Sequence, residues 1–264
     1  MSAVDELGRF RLDGRVAIVT GGTGGIGSRV CAALARVGAR VALHGRDPDR
    51  AEAAARELAD AGAAAMAVVA DVTRRQEADR MVDEVLAAYG RVDIIVNTVG
   101  GGAGTALYPA ESYPEAEWDR MMDLNLRATL LPTQAAVRAM IDGGRGGRVL
   151  HFSSVRGQLG IDNGFSAYVA AKGALDALTR QQATEWAKHA ITVNAVSPTF
   201  VATPQAANLL ADEEFRAGLE RRIPLHRIAD VDDVVGACLL LCSDASSFIT
   251  GQVLTLDGGL TACQ

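Results

Sequence analysis

The sequence predicts an α/β fold, a single-domain Rossmann-type doubly wound parallel sheet with helices on both faces. Three observations predict it. Apolar, β-branched runs alternate with amphipathic stretches of helical period from end to end. The apolar runs are nearly continuous, as in strands buried on both faces. The first of them runs straight into glycines that open a helix. No linker and no shift of composition divides the chain, so residues 1–264 are expected to form one domain.

Each element follows in order. "RVAIVTGG" (Arg15–Gly22) reads as the first strand and "SRVCAALARVG" as the helix after it. "ARVALHGR" is the second strand. "DPDRAEAAARELADAG" is a helix, with Asp47 as its N-cap and Pro48 at its first position. "AAMAVVADV" gives a third strand, and a helix is expected over about Arg74 to Tyr89. "RVDIIVNTVG" is the fourth strand, followed by one long helix from about Pro114 to Ile141. "GGRVLHFSS" is the fifth strand. "SAYVAAKGALDALTRQQATEWAKHA" is rich in Ala, Leu, Gln, Glu and Lys and reads as a helix. The strand "ITVNAVSP", an irregular region, a helix near Val231–Cys242 and the strand "GQVLTLDGG" complete the pattern. Ligands of such sheets bind beyond the carboxyl ends of the strands, so residues that follow strands carry the functional expectations.

Composition narrows the classes of function. The chain is 49% hydrophobic and 22% charged, with a formal charge of −6 and no basic run. Nucleic acid is therefore not an expected partner. No apolar run has the length of a membrane span, and "MSAVDELGRFRLDGR" lacks an apolar signal region. The expectation is a soluble, cytoplasmic protein. Cys31, Cys238, Cys242 and Cys263 form no CxxC, and no histidine stands at metal spacing, so no metal is expected.

The first strand ends in "TGGTGGIG" (Thr20–Gly27), where Gly22, Gly24 and Gly27 satisfy GxGxxG. Glycines there let the backbone turn tightly and approach a pyrophosphate at the helix N-terminus. Ser28 replaces the lysine of a P-loop, so a dinucleotide is the expected ligand. The acid that would bind a ribose 2′-hydroxyl is not evident. Asp47 fits better as a helix cap, and Gly45 followed by Arg46 ends the second strand. A guanidinium suits a 2′-phosphate, which favours NADP(H) over NAD(H).

Tyr168 and Lys172 lie four apart, on one face of a predicted helix. An ammonium beside a phenol favours the phenolate, and a tyrosine so tuned can exchange protons with an alcohol or ketone. Alone, such a pair reads first as a core tyrosine and a solvated lysine.

Together the motifs resemble the short-chain dehydrogenase/reductase family, over nearly the whole length. They are "TGGTGGIG", "ADV" (Ala70–Val72), "NTVG" (Asn97–Gly100), "LNL" (Leu124–Leu126), "FSSVRG" (Phe152–Gly157), "YVAAK" (Tyr168–Lys172), "NAVSPTFVATP" (Asn194–Pro204) and "LDGG" (Leu256–Gly259). The resemblance implies a ketoreductase-like NADP(H)-dependent oxidoreductase that moves a hydride between nicotinamide and a ketone or secondary alcohol. It implies Tyr168 as general acid or base and Lys172 as the group that tunes it and holds the nicotinamide ribose. It implies that Ser154, rather than Ser153, polarises the carbonyl, and that Asn125 holds a water relay. Cofactor contacts are implied for Gly21, Thr23, Gly25, Ile26, Gly27, Arg46, Asp71, Val72, Asn97, Val201 and Thr203, besides Tyr168 and Lys172. A homotetramer is implied as well. Two departures stand out: Val99 replaces alanine in the usual NNAG, and Thr199 replaces the glycine after Pro198. Threonine does not readily take positive φ, so the loop over the nicotinamide is expected to run differently.

Residues 100–114 ("GGGAGTALYPAESYP") and about 199–227 are expected to shape the substrate pocket. The apolar stripe Phe200, Leu209, Leu210, Phe215 and Leu219 either closes as a lid or packs on the body. Arg156, Asp162 and Asn163 are candidates to meet polar groups of a 3-oxoacyl thioester, a keto-sugar or polyol, or a cyclic ketone. Two other readings stand beside this one. They are an NAD(H)-dependent alcohol or polyol dehydrogenase, and a non-catalytic cofactor sensor; the retained tyrosine and lysine argue against the sensor.

Overall fold

Strand β1 (Val16–Thr20) is apolar on both sides because it lies mid-sheet, and its side chains divide between two cores. Ala17 and Val19 join one apolar cluster with Leu34, Leu150 and Leu241; Val16 and Ile18 join another with Met81, Val85 and Met140. This two-residue alternation between two filled cores is what a doubly wound sheet requires. The computed structural model describes residues 5–102, 106–162 and 164–263. Asn163 and residues 103–105 of the expected pocket segment lie outside them.

After β1 come α1 (Gly25–Arg36), β2 (Arg40–Gly45), α2 (Pro48–Asp60), β3 (Ala65–Val69), α3 (Arg75–Tyr89) and β4 (Ile94–Asn97). Then follow α4 (Glu115–Met122), α5 (Ala128–Gly143), β5 (Gly147–Phe152), α6 (Ser166–Trp186) and β6 (Ile191–Pro198). The chain closes with α7 (Ala207–Leu210), α8 (Glu213–Arg222), α9 (Val231–Cys242) and β7 (Val253–Leu256). The seven strands form one sheet in the order β3-β2-β1-β4-β5-β6-β7, parallel throughout. The order reverses between β1 and β4, whose last residues Thr20 and Asn97 are register partners. A crevice opens at that switch point. Cys31, Cys238 and Cys242 are buried core residues, and Cys263 is exposed. Among the described residues no helix is long and apolar enough to cross a membrane.

One local expectation changes. The single helix expected from Pro114 to Ile141 is two helices, α4 and α5, joined by a π turn over Asp123–Arg127 that carries Asn125. Apolar period alone does not register one extra residue in a turn. Thr199 keeps out of the positive-φ region, as expected of a threonine. Among the described residues only Ala190 and His226 are non-glycines with positive φ, and the Thr199 amide donates to Leu256 O at 3.2 Å. Asp47 caps α2 as expected, its carboxylate accepting from the Arg50 amide at 3.1 Å.

Candidate active site

A cavity of about 940 Å³ opens at the carboxyl ends of the strands. One end is walled by Gly21, Thr23, Gly25, Ile26 and Gly27, from the turn between β1 and α1. That turn depends on the absence of a side chain at Gly27, where a Cβ would stand 2.2 Å from Gly21 O and 2.8 Å from Thr98 Oγ1. The other end holds Ser154, Tyr168 and Lys172. Helix α6 starts at Ser166, so Tyr168 and Lys172 sit in its first two turns, against the end of β5.

Lys172 is buried and its Nζ donates to Phe152 O at 2.8 Å. Burial pulls its pKa down to about 8, while Asp176, one turn further along α6, favours the charged form. Ser153 and Ser154 diverge. Ser153 Oγ donates to Asp176 Oδ1, whereas Ser154 Oγ accepts from the Arg156 amide at 3.2 Å and hydrogen-bonds Tyr168. Asn125 is fully buried and bonded twice to Gly101, accepting from its amide at 2.8 Å and donating to its carbonyl at 3.0 Å. It also donates to Met121 O at 3.1 Å, so the π turn and the glycine run are tied together.

The expected electrostatics of Tyr168 are corrected. Burial dominates and raises its pKa above the ordinary phenol value. Ser154 and Arg156 oppose the rise, and Lys172 does not figure among the opposing groups. Lys172 Nζ lies 5.7 Å from the Tyr168 ring centroid and is engaged by Phe152 O.

The remaining expected residues divide between the cavity wall and its surroundings. Val201 and Thr203 line the cavity; Val201 forms a parallel bridge to Ala229, and Thr203 Oγ1 accepts from the Ala206 amide at 3.3 Å. Arg46 is exposed at the end of β2 and lies outside the lining. Asp71 also lies outside it, holding the Thr73 amide and hydroxyl at 3.0 and 2.6 Å, which keeps its carboxyl below the usual range. Val72 is buried beside it. Asn97 is fully buried, donating to Thr133 Oγ1 at 2.8 Å and contacting His151 Nδ1 at 3.2 Å. It braces the carboxyl end of β4 from behind the cavity.

Two charged lining residues were not singled out in the sequence reading. Arg50 lines the glycine end and donates to Thr23 O at 3.2 Å. The one signal was its position three after the Asp47 cap. Arg222 lines the other end; it lies within the expected pocket segment 199–227, where its helical spacing from Phe215 and Leu219 was the further signal. Phe200, Leu209, Phe215 and Leu219 of the apolar stripe also face this cavity, with Phe200 and Phe215 edge to face at 5.6 Å. Leu210 does not line it.

A family profile described as enoyl-(acyl carrier protein) reductase matches residues 21–261. The chain is 38% identical over 255 residues to a gluconate 5-dehydrogenase of Gluconobacter oxydans, covering 96% of each protein. The chain is a short-chain dehydrogenase/reductase. A second relative of this family, the 5-keto-D-gluconate 5-reductase of Escherichia coli K12, is 34% identical over 251 residues, covering 95% of this chain and 97% of that protein. The solved gluconate 5-dehydrogenase of Burkholderia cenocepacia, in complex with NADP and tartrate, superposes with a TM-score of 0.92 at 35% identity. That match covers 98% of this chain and 99% of the other. This short-chain dehydrogenase/reductase is therefore an oxidoreductase acting at a keto or hydroxyl group.

Proposed function

We propose that the chain interconverts a ketone and a secondary alcohol on a polyol acid, using NADP(H). The observation that carries this is one cavity with a glycine cradle at one end and Ser154, Tyr168 and Lys172 at the other. The cradle suits a dinucleotide, because the backbone is bare where a pyrophosphate must approach. Gly45 stands where a 2′-hydroxyl-binding acid is expected, and a Cβ there would meet Thr23 Cγ2 at 2.8 Å. No acid stands at that position, which favours the 2′-phosphate, with Arg46 and Arg50 as its partners.

In this reading Gly21, Thr23, Gly25, Ile26 and Gly27 hold the pyrophosphate end, and Asp71 and Val72 the adenine. Val201 and Thr203 hold the nicotinamide end, and Asn97 fixes the strand behind it. The bound dinucleotide supplies the hydride. Tyr168 gives its proton to the carbonyl oxygen during reduction and takes it back in oxidation. Ser154 donates to the same oxygen and stabilises charge where it forms. Lys172 holds the ribose, and Asn125 fixes the glycine run that Lys172 packs beside. Residues 199–227 cover the substrate as a lid, since the apolar stripe faces the cavity. The substrate class follows from the gluconate-named relatives. We place the enzyme in the cytoplasm as a homotetramer, from its partnerless thiols and its family.

The test is nicotinamide absorbance with NADPH and NADH against 5-keto-D-gluconate, other ketoses, 3-oxoacyl thioesters and cyclic ketones. Reduction of a polyol keto acid with NADPH is expected. Turnover retained by Tyr168→Phe would remove the acid–base role, and reduction confined to thioesters would remove the substrate class.

A further inference from the structure

Most arginines that reach a carboxylate here do so on the surface, as with Arg11 and Asp13 or Arg227 and Asp233. Arg156 and Arg222 are different. Both line the substrate end of the cavity, and neither forms an ion pair among the described residues. Arg156 is 7% exposed, a buried guanidinium in the short turn after Ser154. One arm is fixed, with Nη1 donating to Gly160 O at 3.2 Å. Arg222 is exposed in the last turn of α8. It shares the cavity face of that helix with Phe215 and Leu219, whereas Arg216 turns to Glu220 at 3.0 Å. Asp162 is the acid on this wall among the described residues, and it pairs with neither arginine.

The two guanidiniums repel each other. Burial lowers the Arg156 pKa first, and the Arg222 charge lowers it further. Two like charges facing one cavity, neither of them paired with a carboxylate, are unfavourable until an anion enters. The cofactor phosphates do not answer this need, since the glycine cradle and Arg50 are at the opposite end.

We propose that Arg156 and Arg222 form an anion clamp that takes the charged end of the substrate and so aims its carbonyl at Ser154 and Tyr168. Arg156 supplies a fixed wall and Arg222, carried on α8, completes the clamp from the lid. The shared chemistry is an oxyanion on an open-chain polyol, a carboxylate or a phosphate, matched by the guanidinium fork. This rests on the carbonyl-reductase reading above and names what that site selects.

The experiment measures kcat/KM with NADPH for 5-keto-D-gluconate, D-fructose 6-phosphate and uncharged D-fructose, in the wild type, Arg222→Ala and Arg222→Lys. Arg222 is exposed, so the fold should survive; a melting curve checks it. Arg222→Ala is expected to lose at least about tenfold more on an anionic ketone than on D-fructose, the factor for one charge-assisted hydrogen bond. Arg222→Lys should recover part of that loss. Whether the loss falls on the carboxylate or the phosphate tells which oxyanion is read. Equal losses on D-fructose, or none on either anion, overturn the clamp while leaving the reductase intact. Calorimetric binding of D-gluconate to the full chain separates the two readings. Should no ketone be reduced, gluconate binding weakened tenfold by Arg222→Ala or Arg156→Gln supports the clamp without the reductase. No gluconate binding by the wild type overturns it.

Discussion

The hydroxyl of Ser153 donates a 2.5 Å hydrogen bond to Asp176, whose charge in turn favours the cationic form of Lys172. Asp176 thus opposes the effect of burial on an ammonium that is itself bonded to Phe152 O, while Ser153 touches Lys172 only at its carbonyl, at 3.4 Å. Lys172 loses its proton as pH rises through about 8. Removing the Asp176 charge lowers that point. Asp176→Asn should therefore move the alkaline limb of the kcat/KM profile to lower pH. Ser153→Ala keeps the carboxylate and should move it less. An unchanged limb in Asp176→Asn would show that this carboxylate does not act through Lys172.

Lys172 also links stability to pH. Its folded pKa, about 8, lies below the ordinary 10.5, so the folded state holds the charged form at a cost on the order of 3 kcal/mol. Between pH 8 and 10.5 the unfolded chain binds more protons, and stability from this group rises with pH. Lys172→Met removes that rise, along with the bond to Phe152 O. Denaturant melts of both proteins should show the variant losing ground to the wild type between pH 8 and 10. A constant difference over that window would count against the lowered pKa. Activity should be lost in the variant at every pH.

Arg46 and Arg50 compete for one role. Arg46 follows the expected acid position, and Arg50 lines the cavity and holds Thr23 O. A charge-assisted bond to a phosphate is worth about 1.5–3 kcal/mol, so losing one should raise the KM for NADPH about tenfold or more. The arginine that reads the 2′-phosphate is the one whose alanine variant does this while leaving NADH little changed. Equal losses on both cofactors in both variants would remove the 2′-phosphate assignment.

Gly27→Ala tests the cradle without touching a polar group. The new methyl would meet Gly21 O at 2.2 Å, a backbone atom that cannot swing away. The variant should lose about 1–3 kcal/mol of stability and its thermal shift with NADPH. Gly236→Ala, in α9, is the control, since a Cβ there has no heavy atom within 4 Å. Similar melting behaviour in the two variants would mean that the close approach at Gly27 is not needed.

Much of this was legible in the chain. The strand Ile191–Pro198 and the helix Val231–Cys242 stand where the apolar pattern puts them, because buried strands and amphipathic helices announce their own periods. Tyr168 and Lys172 share a cavity wall because spacing four fixes a helix face. Other features depend on the folded whole. The direction of the Tyr168 shift is set by burial, which no local motif encodes. Arg222 faces the same cavity as Arg156 only because α8 packs against that cavity in the folded chain. The π turn escaped because Leu124, Leu126 and Arg127 continue a good helical composition around Asn125.

That turn has a consequence for what the chain tolerates. An α-helix advances about 100° per residue, so one surplus residue changes the phase between the stretches it joins. Upstream, Met121 is buried; downstream, Ala135 and Met140 are buried in the core beneath the sheet. Deleting a single residue within Asp123–Arg127 would leave either half a sound helix. It would also rotate one against the other, swinging Asn125 off Gly101 or Met121 off its contacts. Substitutions along this segment are matters of degree, whereas its residue count is a matter of register, like the tooth count of a gear.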